Sequence, residues 1–282
     1  MAAHVMDAAR RLAGALSGAI ALYGHLVGAQ ARSQMQYRLS FLMTVAGAFA
    51  GNIIDFAAVA IILQRVPRLA GWSLGEVALL YGMSGLSFSV AELFAASLDN
   101  FDRFIVAGTF DRVLTRPLGA LFQAMTEDFR LHRFGRLAQG VAVFAIAQQL
   151  LAIPWSAARV AVLVLALVGG FGIYFSIFVL GAVFCFWTVQ GKEATHVLTY
   201  GGDFFASYPL DLYRGWLRRF FTFIVPLAFV NYYPALYLLG RADPLGLPLW
   251  TQLLSPVVAS IMALVAWRAW AMGMRRYQST GT

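Results

Sequence analysis

The chain has 282 residues, of which 60% are hydrophobic and only 12% are charged, and its formal net charge is +8. Its mean hydropathy is +0.71, whereas average soluble domains carry about 25% charged residues. A soluble core could not bury this much apolar surface. The composition therefore excludes an ordinary soluble enzyme and predicts an all-α membrane protein.

Residues 1–37 contain a basic pair, Arg10 and Arg11, followed by a glycine-rich apolar run over 12–29. We expect an amphipathic helix that lies on the inner leaflet and leads into the first membrane span. A cleaved signal peptide is the alternative, because a basic start followed by an apolar run is also typical of secretory leaders.

Long uncharged gaps predict six transmembrane helices within one domain, residues 38–274. A charge at the bilayer centre costs about 2.5 to 3.5 kcal/mol, and a helix of about 20 residues crosses the hydrocarbon. The fourth gap is longer than a crossing needs, so we expect that helix to tilt, to bend at Gly169 and Gly170, or to project into the cytoplasm. The predicted spans are residues 39–64, 76–98, 137–153, 159–190, 219–239 and 250–272.

The distribution of basic residues predicts that both termini are cytoplasmic. Of the 21 lysines and arginines, only Arg65, Arg68, Arg159 and Arg241 fall in segments that would then face outward, which satisfies the positive-inside rule. The positive charge is thus assigned to topology and to contact with anionic lipid, and not to nucleic acid. The cytoplasmic segments that follow the first span would be the loops 99–136 and 191–219 and the tail 275–282.

Glycines and polar residues coincide on one face of the first predicted span. Gly47, Gly51 and Asp55 are spaced so that they share a helix face, with Asn52 beside them. Small residues allow close helix packing, and a carboxylate inside a span is a candidate contact for cargo or a proton. A carboxylate paired to a neighbouring helix, or lying near the outer headgroups, is the alternative.

The second predicted span carries another stripe of small residues, Gly82, Gly85 and Ser89. Such a stripe predicts close contact with another helix. A contact within the chain is favoured over a contact between subunits.

The loop after the second span repeats a short apolar and charged pattern, Phe-Asp-Arg. A solvated loop would not need its apolar residues, so the pattern favours a short helix that docks in a groove of a cytoplasmic protein. An interfacial helix against lipid is the alternative. The candidate docking residues are Phe101, Asp102, Arg103, Phe110, Asp111, Arg112, Arg116 and Pro117.

Residues 231–250 contain three prolines, and each disfavours a continuous helix. We expect a re-entrant or broken helical hairpin at the outer face, buried in protein so that its backbone is hydrogen-bonded. The candidate residues of this re-entrant element are Tyr232, Tyr233 and Pro234.

Signatures of catalysis are missing. Gly191 and Lys192 lack the spacing and the following Ser or Thr of a phosphate-binding loop. The histidines lie outside the predicted hydrocarbon and are not spaced as metal ligands, and Cys185 is the single cysteine, which excludes an intramolecular disulfide. We therefore expect no catalytic residue, metal or cofactor in this chain.

Three stretches carry a family resemblance: GWSLGEVALLYG over 71–82, FDRFIVAGTFDRVLTRPL over 101–118, and YPLDLYRGWLRRFFTFIVPLAFVNYYPALYLLG over 208–240. Together with the six-span layout they cover nearly the whole chain after about residue 20. They resemble the permease subunits of type-2 ABC exporters, in the small six-span branch of uncharacterised transport permeases.

The resemblance implies a dimer with a second permease, commonly a different homologue, above two copies of an ABC ATPase that binds ATP and Mg²⁺. The loop 99–136 would supply a coupling helix seated in the ATPase, the amphipathic amino-terminal helix would brace it, and the re-entrant element would close the exit. The expected location is the bacterial inner membrane.

The sequence thus predicts a permease subunit that exports a hydrophobic or amphipathic cargo by alternating access. Two other functions stay open. A substrate-capturing membrane component of an importer would show a deep polar pocket and no docking loop. A membrane-embedded lipid-modifying enzyme would need clustered polar residues at the membrane face.

Overall fold

The computed structural model describes residues 18, 22–25, 27–36, 38–65, 68–188, 192–213, 215–243 and 246–278. Within these residues the chain is helical and forms no strand, and its one β-type contact is an isolated bridge between Leu69 and Trp72. The prediction of an all-α fold is confirmed for this part of the chain.

In the described residues from Arg38 onward, six long helices and five short ones build the fold. Irregular turns of 3₁₀ or π type connect several of them. In chain order the helices are α1 (Arg38–Arg65), α2 (Leu74–Ala95), α3 (Phe101–Val106), α4 (Phe110–Leu114), α5 (Ala120–Thr126), α6 (Arg133–Leu150), α7 (Ala157–Phe184), α8 (Lys192–Ala206), α9 (Gly215–Arg219), α10 (Tyr232–Leu239) and α11 (Ser255–Arg276).

Three of the described helices, α2, α7 and α11, are long and apolar enough to cross a membrane. A bent pair, Gly215–Ile224 with Leu227–Leu239, would add a fourth if it counted as one span. The 28 residues of α7 form one continuous helix, which at about 1.5 Å per residue exceeds the hydrocarbon thickness. Gly169 and Gly170 lie inside it, where the lack of a side chain lets Ser255 and Ser87 approach closely.

Local capping signals set where the long helices begin. Ser73 and Glu76 form a capping box at the start of α2: the Ser73 amide donates to Glu76 Oε2 at 2.7 Å, and the Glu76 amide donates to Ser73 Oγ at 3.4 Å. The Ser156 hydroxyl accepts from the Arg159 amide at the start of α7. A proline in the first turn of α11 needs no hydrogen-bond partner there.

The centre of the bundle is α2, which packs against α6, α7 and α8. A Cβ on Gly82 would lie 2.8 Å from the Cα of Phe144 in α6, so only glycine allows this approach. Gly85 faces Gly140 on the same helix, and Ser89 Oγ donates to the Gly85 carbonyl at 2.6 Å. The small-residue stripe therefore makes a contact within the chain, as the sequence analysis favoured.

The bundle has two distinct ends. At one end the residues before α2 meet the residues after α10 around Trp72, and the start of α7 lies beside them. At the other end Phe101 stacks with Phe186, just after α7, and with Trp270, near the end of α11. We call these the Trp72 end and the Phe101 end.

Helix α8 runs from the Phe101 end towards the Trp72 end, antiparallel to α2. Tyr200 OH donates to Glu92 at 3.2 Å, and one helical turn later Asp203 accepts from Ser84 at 3.0 Å. Later residues of α8 thus meet earlier residues of α2. We had expected residues 191–219 to form a cytoplasmic loop. The first part of that segment instead forms α8, which packs inside the bundle.

The segment after α8 leaves the Trp72 end and returns to it. Trp72 Nε1 donates to Asp211, before α9, at 2.8 Å, and the guanidinium of Arg241, after α10, lies 4.3 Å from the Trp72 ring centroid. Between them the chain bends by 74°, and Asn231 Nδ2 donates to the carbonyl of Leu80 at 2.9 Å. At about 1.5 Å per residue, that carbonyl lies about 9 Å along α2 from its start. The segment between Asp211 and Arg241 thus enters and leaves the bundle at the same end, and we call it the re-entrant excursion.

This excursion changes the predicted boundaries. A continuous fifth span over 219–239 is not what the structure shows, because the helix breaks at Val225 and Pro226. Proline lacks an amide hydrogen and clashes with the preceding turn. The break expected within 231–250 is therefore preceded by an earlier one. Three predicted residues of the re-entrant element lie in its second arm, α10, and are buried: Tyr232, Tyr233 and Pro234.

Helix α1 lies at the edge of the bundle against α6. Gly47 and Gly51 are exposed, and a Cβ on either would meet no atom within 4 Å. The close packing expected at these glycines is therefore not made within the described part of the chain. The side chains of Asn52 and Asp55 lie outside the described residues, as do residues 1–17 of the expected amino-terminal helix.

Candidate functional site

Two short helices, α3 and α4, form an element at the Phe101 end that we call the 101–118 element. Gly108 joins them with a φ of 61°, a left-handed conformation that glycine adopts without strain. Gln123 is buried, and its Nε2 donates to the carbonyls of Val113 at 2.9 Å and Leu118 at 2.8 Å. These bonds hold the end of the element against α5.

The inner side of the 101–118 element is an aromatic cluster, Phe101, Phe110, Phe186, Trp270 and Tyr277. Phe101 lies 5.2 Å from Phe110 and 5.4 Å from Trp270 between ring centroids, and Phe110 lies 5.0 Å from Tyr277. Phe101 and Phe110 are fully buried. The sequence assigned these rings to a partner's groove, but they pack inside this chain.

The outer side of the element carries apolar and cationic groups together. Val106, Leu114 and Leu118 are 55%, 44% and 41% exposed. Of the predicted docking residues, two are buried and two are half-buried, so the contact surface is smaller than the sequence suggested. Those that remain exposed are Arg103, Arg112, Arg116 and Pro117.

The two aspartates of the repeat have different surroundings. Asp111 accepts a hydrogen bond of 2.9 Å from the hydroxyl of Tyr277, just after α11. Burial and this bond raise the pKa of Tyr277 to about 12, so the phenol remains a donor at neutral pH. Asp102 Oδ1 is buried and has no hydrogen-bond partner among the described residues.

A helical stretch before α1, residues 27–35, contacts the loop between α5 and α6. Gln30 Nε2 donates to the carbonyl of Thr126 at 2.7 Å, and its Oε1 accepts from the amide of Phe129 at 2.7 Å. Gln34 Oε1 accepts from the amide of Leu131 at 3.0 Å. The two glutamines thus satisfy backbone groups of the loop that follows the 101–118 element.

Inside the bundle lies a group that the sequence analysis missed, the buried charge cluster of Glu92, Arg133, Arg136 and Asp203. Arg136 Nη2 donates to Asp203 Oδ2 at 2.7 Å, and a second Arg136 nitrogen lies 3.9 Å from Glu92. Arg133 lies 4.0 Å from Glu92. Two acids and two bases balance, which is the condition for burying charges without a large penalty.

Neutral side chains complete this cluster. Asp203 Oδ1 accepts from Ser84 at 3.0 Å and from Tyr174 at 3.3 Å. The guanidinium of Arg136 lies 4.3 Å from the ring centroid of Phe88, a cation–π contact. The cluster therefore joins α2, α6, α7 and α8. The sequence offered no signal for it beyond the charges themselves, which were assigned to span ends and loops.

A second polar group holds the re-entrant excursion at the Trp72 end. Asp211 accepts from the hydroxyl of Tyr232 at 3.0 Å as well as from Trp72, and Arg218 lies 3.6 Å away. Arg241 Nη1 donates to Glu76 at 3.1 Å while its guanidinium stacks on the indole. Trp72 and Glu76 belong to one of the stretches that carried the family resemblance.

Groups suited to metal chemistry are not seen in the described ranges. No three His, Cys, Asp or Glu side chains of those ranges are placed to hold a metal ion. Cys185 is buried, and its thiol lies 3.7 Å from the carbonyl of Gly181.

Comparison with known proteins gives one family. Residues 49–281 match the family described as ABC-2 family transporter protein. Neither a curated protein nor a solved structure matches the chain. The match spans α2 to α11 and most of α1, so it includes the 101–118 element, the buried charge cluster and the re-entrant excursion. The chain belongs to the ABC-2 transporter family and is a multi-pass membrane permease component of an ABC transporter.

Proposed function

We propose that this chain is the permease subunit of an ATP-driven exporter and that the 101–118 element is its contact with the ATPase. The observation that carries the proposal is the exposed face of Val106, Arg112 and Leu114 on a buried aromatic base. Apolar side chains beside arginines suit a protein cleft lined by apolar and acidic groups. An importer's capture component would not need such a face.

The aromatic cluster gives a route for force. A push on α3 or α4 acts directly on Phe101 and Phe110, which contact Phe186 and Trp270. Those residues lie at the ends of α7 and α11. Because packed rings resist compression, movement of the ATPases would rotate these helices and open the path for cargo outward by alternating access.

The proposed membrane topology has six crossings, α1, α2, α6, α7, α8 and α11, with both termini and the Phe101 end in the cytoplasm of a bacterial cell. In this topology α8 is the fifth crossing, which the sequence analysis had assigned to residues 219–239. The three arginines of residues 214–219 then move to the outer side, where Arg218 pairs with Asp211, which reduces the excess of basic residues inside. Arg103, Arg112, Arg116 and Arg275 still favour this orientation. The re-entrant excursion would then close the exit.

The proposed assembly contains two ATPase copies, which bind ATP and Mg²⁺, and a second permease, either a different homologue or another copy of this chain. The open glycine face of α1, at Gly47 and Gly51, is suited to close contact with a helix of that second permease. Asp55 remains a candidate contact for a hydrophobic or amphipathic cargo. Residues 27–35 would brace the coupling loop.

The test is ATP turnover in the complex that co-purifies with this chain. We expect the double variant Val106→Asp, Leu114→Asp to lose the ATPase subunit, because two carboxylates would enter an apolar contact. Asp102→Ala and Arg112→Ala should lower cargo-stimulated turnover by about tenfold, the effect of about 1.4 kcal/mol. Arg68→Ala, at the opposite end, is the matched control. Full turnover with intact co-purification in the double variant would contradict the assignment.

A further inference from the structure

A cleft at the Trp72 end takes no part in the proposed coupling. Its volume is about 530 Å³, within the usual range for small-molecule sites. It lies between the start of α7 and the residues that follow α10. The lining residues that matter here are Arg159, Leu236, Arg241, Leu249 and Gln252.

Gln252 brings a buried, unpaired hydrogen-bond donor to the lining of the cleft. The residue is only 1% exposed, yet its Nε2 donates to no acceptor in the described part of the chain. Buried amide donors are nearly always hydrogen-bonded, and leaving one unpaired costs stability. A ligand with acceptor oxygens in the cleft would satisfy this donor.

The charge of the cleft is positive. Arg241 is paired with Glu76 at 3.1 Å. Arg159 donates to the backbone carbonyl of Pro154, and none of the ion pairs among the described residues includes it. One arginine charge is thus uncompensated in the same cleft as the unpaired amide, and guanidinium and amide donors together are suited to phosphate oxygens.

Exposed apolar side chains at the mouth of the cleft favour a lipid as the source of a bound phosphate. Leu249, which lines the cleft, is 71% exposed, and its neighbour Trp250 is 61% exposed. Trp155, the chain neighbour of the lining residue Ser156, is 42% exposed. Tryptophans of this kind lie at the level of lipid headgroups, and an exposed leucine there would face acyl chains.

We propose that this cleft binds the phosphate of a membrane phospholipid, with Arg159 and Gln252 donating to its oxygens and Leu249 contacting the start of an acyl chain. The bound lipid would wedge between α7 and the second arm of the excursion. It would therefore stabilise the angle between them.

Native mass spectrometry of the delipidated full-length protein, with its co-purifying subunits, tests the proposal. The probes are phosphatidylglycerol and diacylglycerol, which lacks the phosphate. We expect phosphatidylglycerol to bind at least about tenfold more tightly, the effect of one charge-assisted hydrogen bond. Arg159→Gln and Gln252→Leu should each lower its binding by about tenfold. Arg68→Gln, which removes an exposed arginine at the same end, should change it little.

Three results would overturn the proposal. Equal binding of both lipids would show that no phosphate is read, and an equal loss in Arg68→Gln would show general attraction to the surface. Displacement of the lipid by millimolar inorganic phosphate would assign the cleft to a soluble anion. Arg159 is only half-buried, so its variant keeps the test valid if Gln252→Leu misfolds. Lipid retention requires no ATP, so failure here leaves the coupling proposal unaffected.

Discussion

Arg136 in α6 and Asp203 in α8 are joined by a hydrogen-bonded ion pair of 2.7 Å inside the bundle. We expect Arg136→Met alone to destabilise the protein by about 3 to 5 kcal/mol, because Asp203 would be left buried and uncompensated. The double variant Arg136→Met, Asp203→Leu should recover most of that loss. Thermal unfolding of the purified protein in detergent measures both. A double variant whose loss of stability equals the sum of those of Arg136→Met and Asp203→Leu, each measured alone, would show that the pair contributes no coupling.

The hydrogen bond between Tyr277 and Asp111 predicts that the end of α11 steadies the 101–118 element. Tyr277→Phe should lower stability by about 1 kcal/mol and speed amide exchange across α4. Asp111→Asn, which keeps an acceptor oxygen, is the control and should behave like the native protein. Equal exchange in Tyr277→Phe and the native protein would mean that the aromatic packing alone holds α4.

Close packing at Gly82 predicts a sharp difference between two neighbouring glycines of α2. Gly82→Ala puts a methyl group 2.8 Å from a backbone carbon of α6, so it should cost about 1 to 3 kcal/mol through overpacking. For Gly85→Ala the nearest atom is 3.8 Å away, and the change should be nearly neutral. Melting temperatures of the two variants, measured side by side, test this difference. Equal losses of stability would show that the close contact at Gly82 is not what limits the size of the side chain there.

His132 predicts a loss of stability in mild acid. Burial lowers the pKa of His132 below its ordinary value of 6.5, and the neighbouring charges of Arg133 and Arg130 lower it further. The unfolded chain therefore binds the proton more readily than the folded protein. The stability that neutral His132 contributes is complete above about pH 6.5 and is lost as the pH falls through the pKa of His132 in the folded protein. The melting temperature of His132→Gln should fall less between pH 7.5 and pH 5.5 than that of the native protein. An identical fall in the melting temperatures of both proteins would show that His132 does not cause the loss of stability in acid.

Sequence patterns located most long helices but missed α8 (Lys192–Ala206), which they assigned to a loop. The uncharged gap that ends at Glu92 corresponds to α2, and the gap that begins at Arg159 corresponds to α7. Each of these two charges lies near an end of its helix. Asp203 and Asp211 were taken for loop charges, since a count along the chain cannot show that Ser84 and Trp72 will supply hydrogen bonds from another helix. Charges satisfied across the bundle are therefore where the prediction failed.

The sequence located the 101–118 element but not which of its sides faces out. The Phe-Asp-Arg repeat correctly marked a short helical element, whereas which side of it faces out depends on Phe186 and Trp270, distant in sequence. The sequence did not reveal the roles of Gln30 and Gln123. A glutamine that binds backbone groups cannot be told from a surface glutamine until the segment that it contacts is known.

One indole, that of Trp72, touches the chain on both sides of the re-entrant excursion. The distance between the end of α8 and the approach to α11 is therefore fixed independently of how much chain lies between them. Insertions or deletions in residues 212–240 would change the depth of the excursion and leave the register of the crossing helices unaltered. Evolution could in this way reshape the mouth of the transporter without rebuilding its frame.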